Sequence, residues 1–331
     1  MKTTRNFLIF LGLSLATLSC SDDDQDLTEI PTSELELAGE IKSDLTLDPS
    51  KAYTLSSILS VDNNAILTIP AGTSITTSTG TDVYLVVQQG AKIQVQGTPA
   101  APVVMSPSGS GSWGGLVIAG KGVTSEGVNA IAEVGGILYG GNDNQDDSGS
   151  IQYLVMKQTG AQINADSQFN GLTLYAVGEN TQIDNVAIIE GQDDGIEFFG
   201  GRAHVSNFYA ENLQDDAVDW TEGWNGTLEN VYISHTEANF STALEADGVN
   251  GNPSLINFTA VSTVGGTALQ FKANSGATIQ GLSLSGYETT IDMRDNGPLD
   301  NVQIEGETAS PDFNYDFSMT VNKSDFDWAL N

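Results

Sequence analysis

The chain has 331 residues, 39% of them apolar and only 16% charged, and its 11 Lys and Arg against 43 Asp and Glu leave a net charge of -32. That balance describes a folded chain whose few charges are nearly all negative, and it excludes nucleic acid and anionic lipid as direct ligands while admitting cations and neutral sugars. A single cysteine, Cys20, excludes an intramolecular disulfide.

Residues 1–19 read as an export signal: Lys2 and Arg5 make a basic start, Phe7 to Leu18 an apolar core too short to span a bilayer, and Ser19 a small residue at the end. Cys20 directly after this run resembles the lipobox of bacterial lipoproteins, although Thr17 stands where Leu is usual. The resemblance implies lipidation at Cys20 and attachment to a membrane through the lipid. Ser21-Asp22-Asp23-Asp24 in turn resembles the surface-export signal of Bacteroidota lipoproteins, which implies display on the outer face of the outer membrane. Removing residues 1–19 takes away two positive charges and leaves -34. Residues 20–40 lack a strong period and read as the lipidated cysteine with an acidic tether.

From residue 41 to 311 the pattern is that of stacked coils. Leu67-Thr-Ile69-Pro-Ala-Gly72-Thr-Ser-Ile75 and Leu85-Val-Val87-Gln-Gln-Gly90-Ala-Lys-Ile93 match at an offset of 18, which predicts tight early coils of short strands ending in glycine turns. Trp113-Gly-Gly-Leu116-Val-Ile118 opens another strand, and residues 120–150, rich in Gly and Asp, read as a loop excursion. Further on, one pattern returns six times, as Ile183-Asp-Asn185-Val186, Val205-Ser-Asn207-Phe208, Leu228-Glu-Asn230-Val231, Leu255-Ile-Asn257-Phe258, Ile279-Gln-Gly281-Leu282 and Leu299-Asp-Asn301-Val302. Its steps of 22, 23, 27, 24 and 20 residues mean a solenoid. A second strand follows each of the first five members about ten residues on, at Ile196-Glu-Phe198, Val218-Asp-Trp220, Leu244-Glu-Ala246, Leu269-Gln-Phe271 and Ile291-Asp-Met293.

Short strands, no helical period and 36 glycines predict an all-β chain, a right-handed single-stranded parallel β-helix. Asparagines recurring at one turn would stack about 4.8 Å apart and bond amide to amide, with Gly281 as one gap. This asparagine ladder resembles that of the pectate-lyase-like β-helix superfamily. Residues 312–331, with Ser324-Asp-Phe326-Asp-Trp328-Ala-Leu330, are expected to cap the open end of the stack.

Strand parity turns Glu197, Asp219, Glu245, Gln270 and Asp292 outward on successive coils. Asp193-Asp194 and Asp215-Asp216 stand just before this column and Asp247 just after it. Two carboxylates about 5 Å apart repel by roughly 3 kcal/mol at an effective dielectric of 20. Solvation of splayed side chains, a catalytic acid pair with raised pKa values, or a bound cation would each relieve that. Oxygen ligands without nearby Cys or His favour calcium, with Asp193, Asp194, Glu197, Asp215, Asp216, Asp219, Glu245 and Asp247 as its candidate ligands.

Gln192-Asp193-Asp194-Gly195-Ile196 and Gln214-Asp215-Asp216-Ala217-Val218 look like the paired-aspartate motif of β-helix polygalacturonases. That family also needs Gly-His-Gly and Arg-Ile-Lys segments, which this sequence lacks; His204 and His235 stand in different repeats. Calcium-dependent polysaccharide lyases of β-helix fold are the stronger enzyme comparison, and for them Lys272 and Arg294, on the face of the acids, are the candidate bases. Phe199, Tyr209 and Trp224 are candidate sugar platforms.

The runs QDDGIEFFGG, from Gln192 to Gly201, and DDAVDWTEG, from Asp215 to Gly223, resemble those of Bacteroidota β-helix lipoproteins. The expected protein is a monomeric outer-membrane lipoprotein that binds an extracellular glycan or another surface ligand with calcium on an acidic face. Its alternative is a calcium-dependent lyase, or less favourably a glycoside hydrolase, acting on uronate-containing polysaccharide.

Overall fold

A computed structural model describes residues 35–330 except 133, 165, 166 and 320. The signal, Cys20 and most of the tether lie outside the described residues. The described residues form one compact unit, and in it 23 strands join one continuous, almost entirely parallel sheet that winds as a right-handed parallel β-helix. Among the described residues no helix is long and apolar enough to cross a membrane.

In the second half each coil has one long strand and one short one. The long strands, such as Gln182–Ile189, His204–Glu211, Thr227–His235 and Ser254–Ser262, stack in register, so that Ile183, Val205, Leu228, Leu255 and Ile279 form one inward column. Each bends once at a left-handed residue: Asn185, Asn207, Asn230 and Asn257 have φ of 56–57°. Most L-residues lose roughly 1–2 kcal/mol there, whereas Asn tolerates the region and Gly occupies it freely. Gly281, at φ 70°, therefore keeps the bend while leaving the ladder.

The ladder is shorter than its sequence spacing predicts. Asn257 donates to Asn230 at 2.9 Å and Asn230 to Asn207 at 3.2 Å, but Asn207 donates to Asp184 Oδ1 at 2.7 Å rather than to Asn185. Asn301 is not a rung. Ile279 pairs with Ile304, five residues beyond the expected Leu299, and Asn301 ends a short 3-10 turn where its amide donates to the Asn274 carbonyl.

The early coils are also longer than expected. Leu67 pairs with Ile93 and Leu59 with Leu85, each 26 residues on. The 18-residue similarity joins two strand–glycine–strand units on different sides of the coil, where the same turn chemistry recurs at Gly72 and Gly90. Residues 120–148 leave the stack as expected, and carry a two-stranded hairpin pairing Ala130–Ile131 with Leu138–Tyr139. This excursion folds back onto a later coil, where Gly201 N–H donates to the Val123 carbonyl and Ser125 N–H to that of Glu222.

The interior is apolar throughout, from Leu55 and Leu67 to Leu282 and Ile304. Burial of each such side chain contributes about 1.5–3 kcal/mol. At the far end, Ser283 Oγ donates to the Phe317 carbonyl and Leu284 N–H to that of Tyr315, so residues 310–317 lie along the last coil. The final segment then runs back along the side of the stack instead of closing its end. Val321, Phe326 and Ala329 pack on Tyr209 and Tyr232, and Lys323 pairs with Glu211 at 3.1 Å.

Candidate functional site

The short strands Leu172–Tyr175, Ile196–Phe199, Val218–Thr221, Thr242–Ala246, Thr267–Phe271 and Thr289–Met293 stack on one face. Their register aligns Thr173, Glu197, Asp219, Glu245, Gln270 and Asp292 in a column directed away from the core, as parity requires. At the C-terminal ends of these strands runs a second column: Tyr175, Phe199 and Thr221 are direct partners, and backbone bonds carry it on through Asp247, Lys272 and Arg294.

The acidic column is not an open, solvated surface. Asp194, Asp216 and Glu245 are buried, and Glu197 and Asp219 half-buried. Asp194 Oδ1 accepts the Asp216 N–H at 2.9 Å, Asp216 Oδ1 accepts Thr242 Oγ1 at 2.6 Å, and Asn170 Nδ2 donates to Glu197 Oε2 at 2.5 Å. Two groups of carboxylates have ligand oxygens within 4.8 Å of one another: Asp193, Asp194 and Asp215, and Asp194, Glu197 and Asp219. Asp194 belongs to both.

Burial, then the neighbouring charges of Asp219, Asp216, Glu197 and Asp193, hold the Asp194 carboxyl well above the usual range. Asp219 is raised likewise by burial and by Glu197, Asp216 and Glu245. Asp216 is pushed up to about 8, chiefly by burial and then by Glu245. Asp219 Oδ1 is a buried acceptor with no hydrogen-bond partner. An orphaned carboxylate oxygen inside an all-oxygen donor set fits a hard divalent cation. The residues therefore suit such a cation, which Asp194, Glu197 and Asp219 would hold in one group and Asp193, Asp194 and Asp215 in the other.

The other candidates scatter. Glu245 is paired with Lys272 rather than placed in either group, and Asp247 lies in the neighbouring column. Arg294 pairs with Asp292 at 2.7 Å. Partial burial lowers the Lys272 pKa, but its bond to Glu245 and the charges of Glu245, Asp219 and Asp216 outweigh that and raise it. Arg294 is raised by its bond to Asp292. Both side chains are thus held protonated, the opposite of what a base requires.

Two of the aromatic candidates are not platforms. Trp224 is fully buried, stacks on Phe198 at 3.9 Å and donates its indole N–H to the Ala203 carbonyl at 3.1 Å. Tyr209 is sealed beneath the returning C-terminal segment and bonds Glu211. Phe199 alone is half-exposed, and it stacks on Tyr175 at 4.4 Å beside a pocket formed with the hairpin excursion. Sequence reading missed Asn170, Thr242, Tyr139 and Tyr175. Tyr175 was within reach, because it stands two residues past Thr173 as Phe199 stands two past Glu197.

A parallel β-helix with an acidic, cation-suited column on its short-strand face defines the class of protein. The chain belongs to the pectate-lyase-like β-helix family, whose domain model matches residues 39–325. No curated protein and no solved structure matches it.

Proposed function

We propose that the protein is a lipoprotein, anchored through Cys20 and displayed on the outer face of the outer membrane, that binds extracellular glycan along its short-strand face with the help of calcium. The observation that carries this reading is the carboxylate group of Asp194, Glu197 and Asp219 with its orphaned Asp219 oxygen. Calcium there would neutralise the mutual repulsion and offer open coordination positions to sugar oxygens. Family membership supports a polysaccharide-related role. Lyase activity is the second reading, favoured by the presence of Lys272 and Arg294 on the same face and opposed by their protonation.

Binding to a panel of neutral and uronate polysaccharides, with calcium and with chelator, tests the proposal. Calcium-dependent retention lost in Asp219→Asn supports it, and retention indifferent to both refutes the calcium-assisted site. Absorbance of unsaturated products in the same mixtures tests the lyase reading, which requires turnover that Lys272→Ala or Arg294→Ala abolishes.

A further inference from the structure

The pocket beside Phe199 has a chemistry of its own. Its volume is about 460 Å³, and it is lined by Glu126, Ala130, Ile131, Tyr139, Tyr175, Phe199 and Glu222. Tyr139, from the hairpin, packs on Tyr175 at 4.7 Å, and Tyr175 stacks on Phe199 at 4.4 Å, so three rings from three separated segments form one pile. The next rung of the column after Phe199 is Thr221, whose side chain has no ring to continue the pile. The last ring is thereby left to line the pocket.

Carboxylates complete the lining. Glu222 sits at a left-handed turn, φ 58°, shared by Ala176, Gly200, Gly248 and Ala273 on neighbouring coils. It is fixed there by Tyr139, which donates to Oε1 at 2.7 Å, and by the Thr124 hydroxyl on Oε2. Glu126 adds a second acid from the excursion, and Ile131, 68% exposed, an apolar lip. No Lys, Arg or His is among the lining residues. The negative face of an aromatic ring, two acids and an apolar rim on a chain of charge -32 suit an organic cation: the ring and rim take its stem, and the ring face and carboxylates its charge.

We infer that this pocket binds an ammonium group carried on an apolar or ring-shaped stem. The site is separate from the calcium group and does not depend on it, since it shares none of the residues Asp193, Asp194, Glu197, Asp215 or Asp219. Two sources carry that chemistry, an unacetylated amino sugar and a simple alkylamine.

Titration of the full-length protein with glucosamine, N-acetylglucosamine and butylamine, followed by calorimetry in chelator, tests the inference. The expected result is binding of at least one of the two amines, with N-acetylglucosamine weaker by about tenfold or more, the scale of a lost cation–π and ion-pair contact. Glucosamine binding without butylamine identifies the amino sugar as the source, and the reverse identifies the alkylamine. Glu126→Gln, at an exposed position, should weaken amine binding without altering the fold, and Phe199→Leu should weaken it further. Equal affinity for glucosamine and N-acetylglucosamine, no binding of either amine, or binding unaffected by both substitutions would overturn the inference. Failure of the calcium-dependent glycan test leaves this result readable, because it is measured without calcium.

Discussion

Asp194 and Asp216 occupy the same turn of adjacent coils, and the backbone N–H of Asp216 donates to Asp194 Oδ1 at 2.9 Å. The contact locks one carboxylate of the acidic group to the next coil. It also places a second buried acid close by, whose charge adds to the rise of the first.

The proposed calcium site predicts that the cation stabilises the fold as well as assisting ligand binding. A cation present at a hundred times its dissociation constant adds about 2.7 kcal/mol to stability. Thermal melts with millimolar calcium and with chelator should differ by several degrees. In Asp219→Asn the difference should vanish, while the metal-free midpoint stays level or rises because one repelling charge is gone. An unchanged wild-type midpoint on chelation rejects the site.

Removal of Lys272 tests the other half of the column. Glu245 is buried and its salt bridge to Lys272 is only partly exposed, so Lys272→Ala leaves a carboxylate beside Asp216 and Asp219 without its cation. The expected loss is about 1–3 kcal/mol by denaturant titration, less than for a fully buried pair. Glu245→Gln combined with Lys272→Met should recover much of it.

The Asn ladder allows a cleaner comparison. Asn230 makes two amide bonds and holds φ 56°, so Asn230→Ala loses both bonds and strains the bend, at about 2–4 kcal/mol. Asn230→Gly loses the bonds but not the conformation, and its measured cost should be smaller by at least 1 kcal/mol.

The sequence already contained the register of the long strands, because Ile183, Val205, Leu228, Leu255 and Ile279 face one core and a slip of one residue would expose them all. It contained the acidic column for the same reason. Its failures came where local chemistry repeats without stacking. Gly72 and Gly90 make similar turns on different sides, and the Leu299–Asn301 motif falls in a 3-10 turn. Burial of Trp224 and Tyr209 depends on contacts outside strand parity, with the Ala203 carbonyl and with the returning Phe326 segment. The same is true of the Phe199 pocket, half of whose wall comes from residues 126–139.

That returning segment predicts its own energetics. Phe326 is buried against Tyr209 at 5.4 Å between centroids, and the Lys323–Glu211 pair lies beside that packing where residues 321–330 meet the side of the stack. Phe326→Ala should cost about 3–5 kcal/mol if the segment unfolds with the coils. If it detaches first, hydrogen exchange will show residues 321–330 losing protection while the strands at Tyr209 and Tyr232 keep theirs.

His235 supplies the pH dependence. Its ring lies flat on Phe240 at 3.7 Å, Nδ1 meets the Tyr287 hydroxyl at 2.9 Å, and Nε2 is buried without a partner. Burial alone lowers its pKa from 6.5 to about 4. Between those values the unfolded chain binds the proton that the folded one refuses, so this group's contribution is intact above pH 6.5 and is lost as pH falls toward 4. The full loss is about 3 kcal/mol. The raised carboxylates of the acidic column push the opposite way, which is why the informative quantity is a difference. Wild type minus His235→Leu, measured by denaturant titration from pH 7.5 to 4, should decline by that amount; a flat difference would mean that His235 is charged or solvated in the native protein.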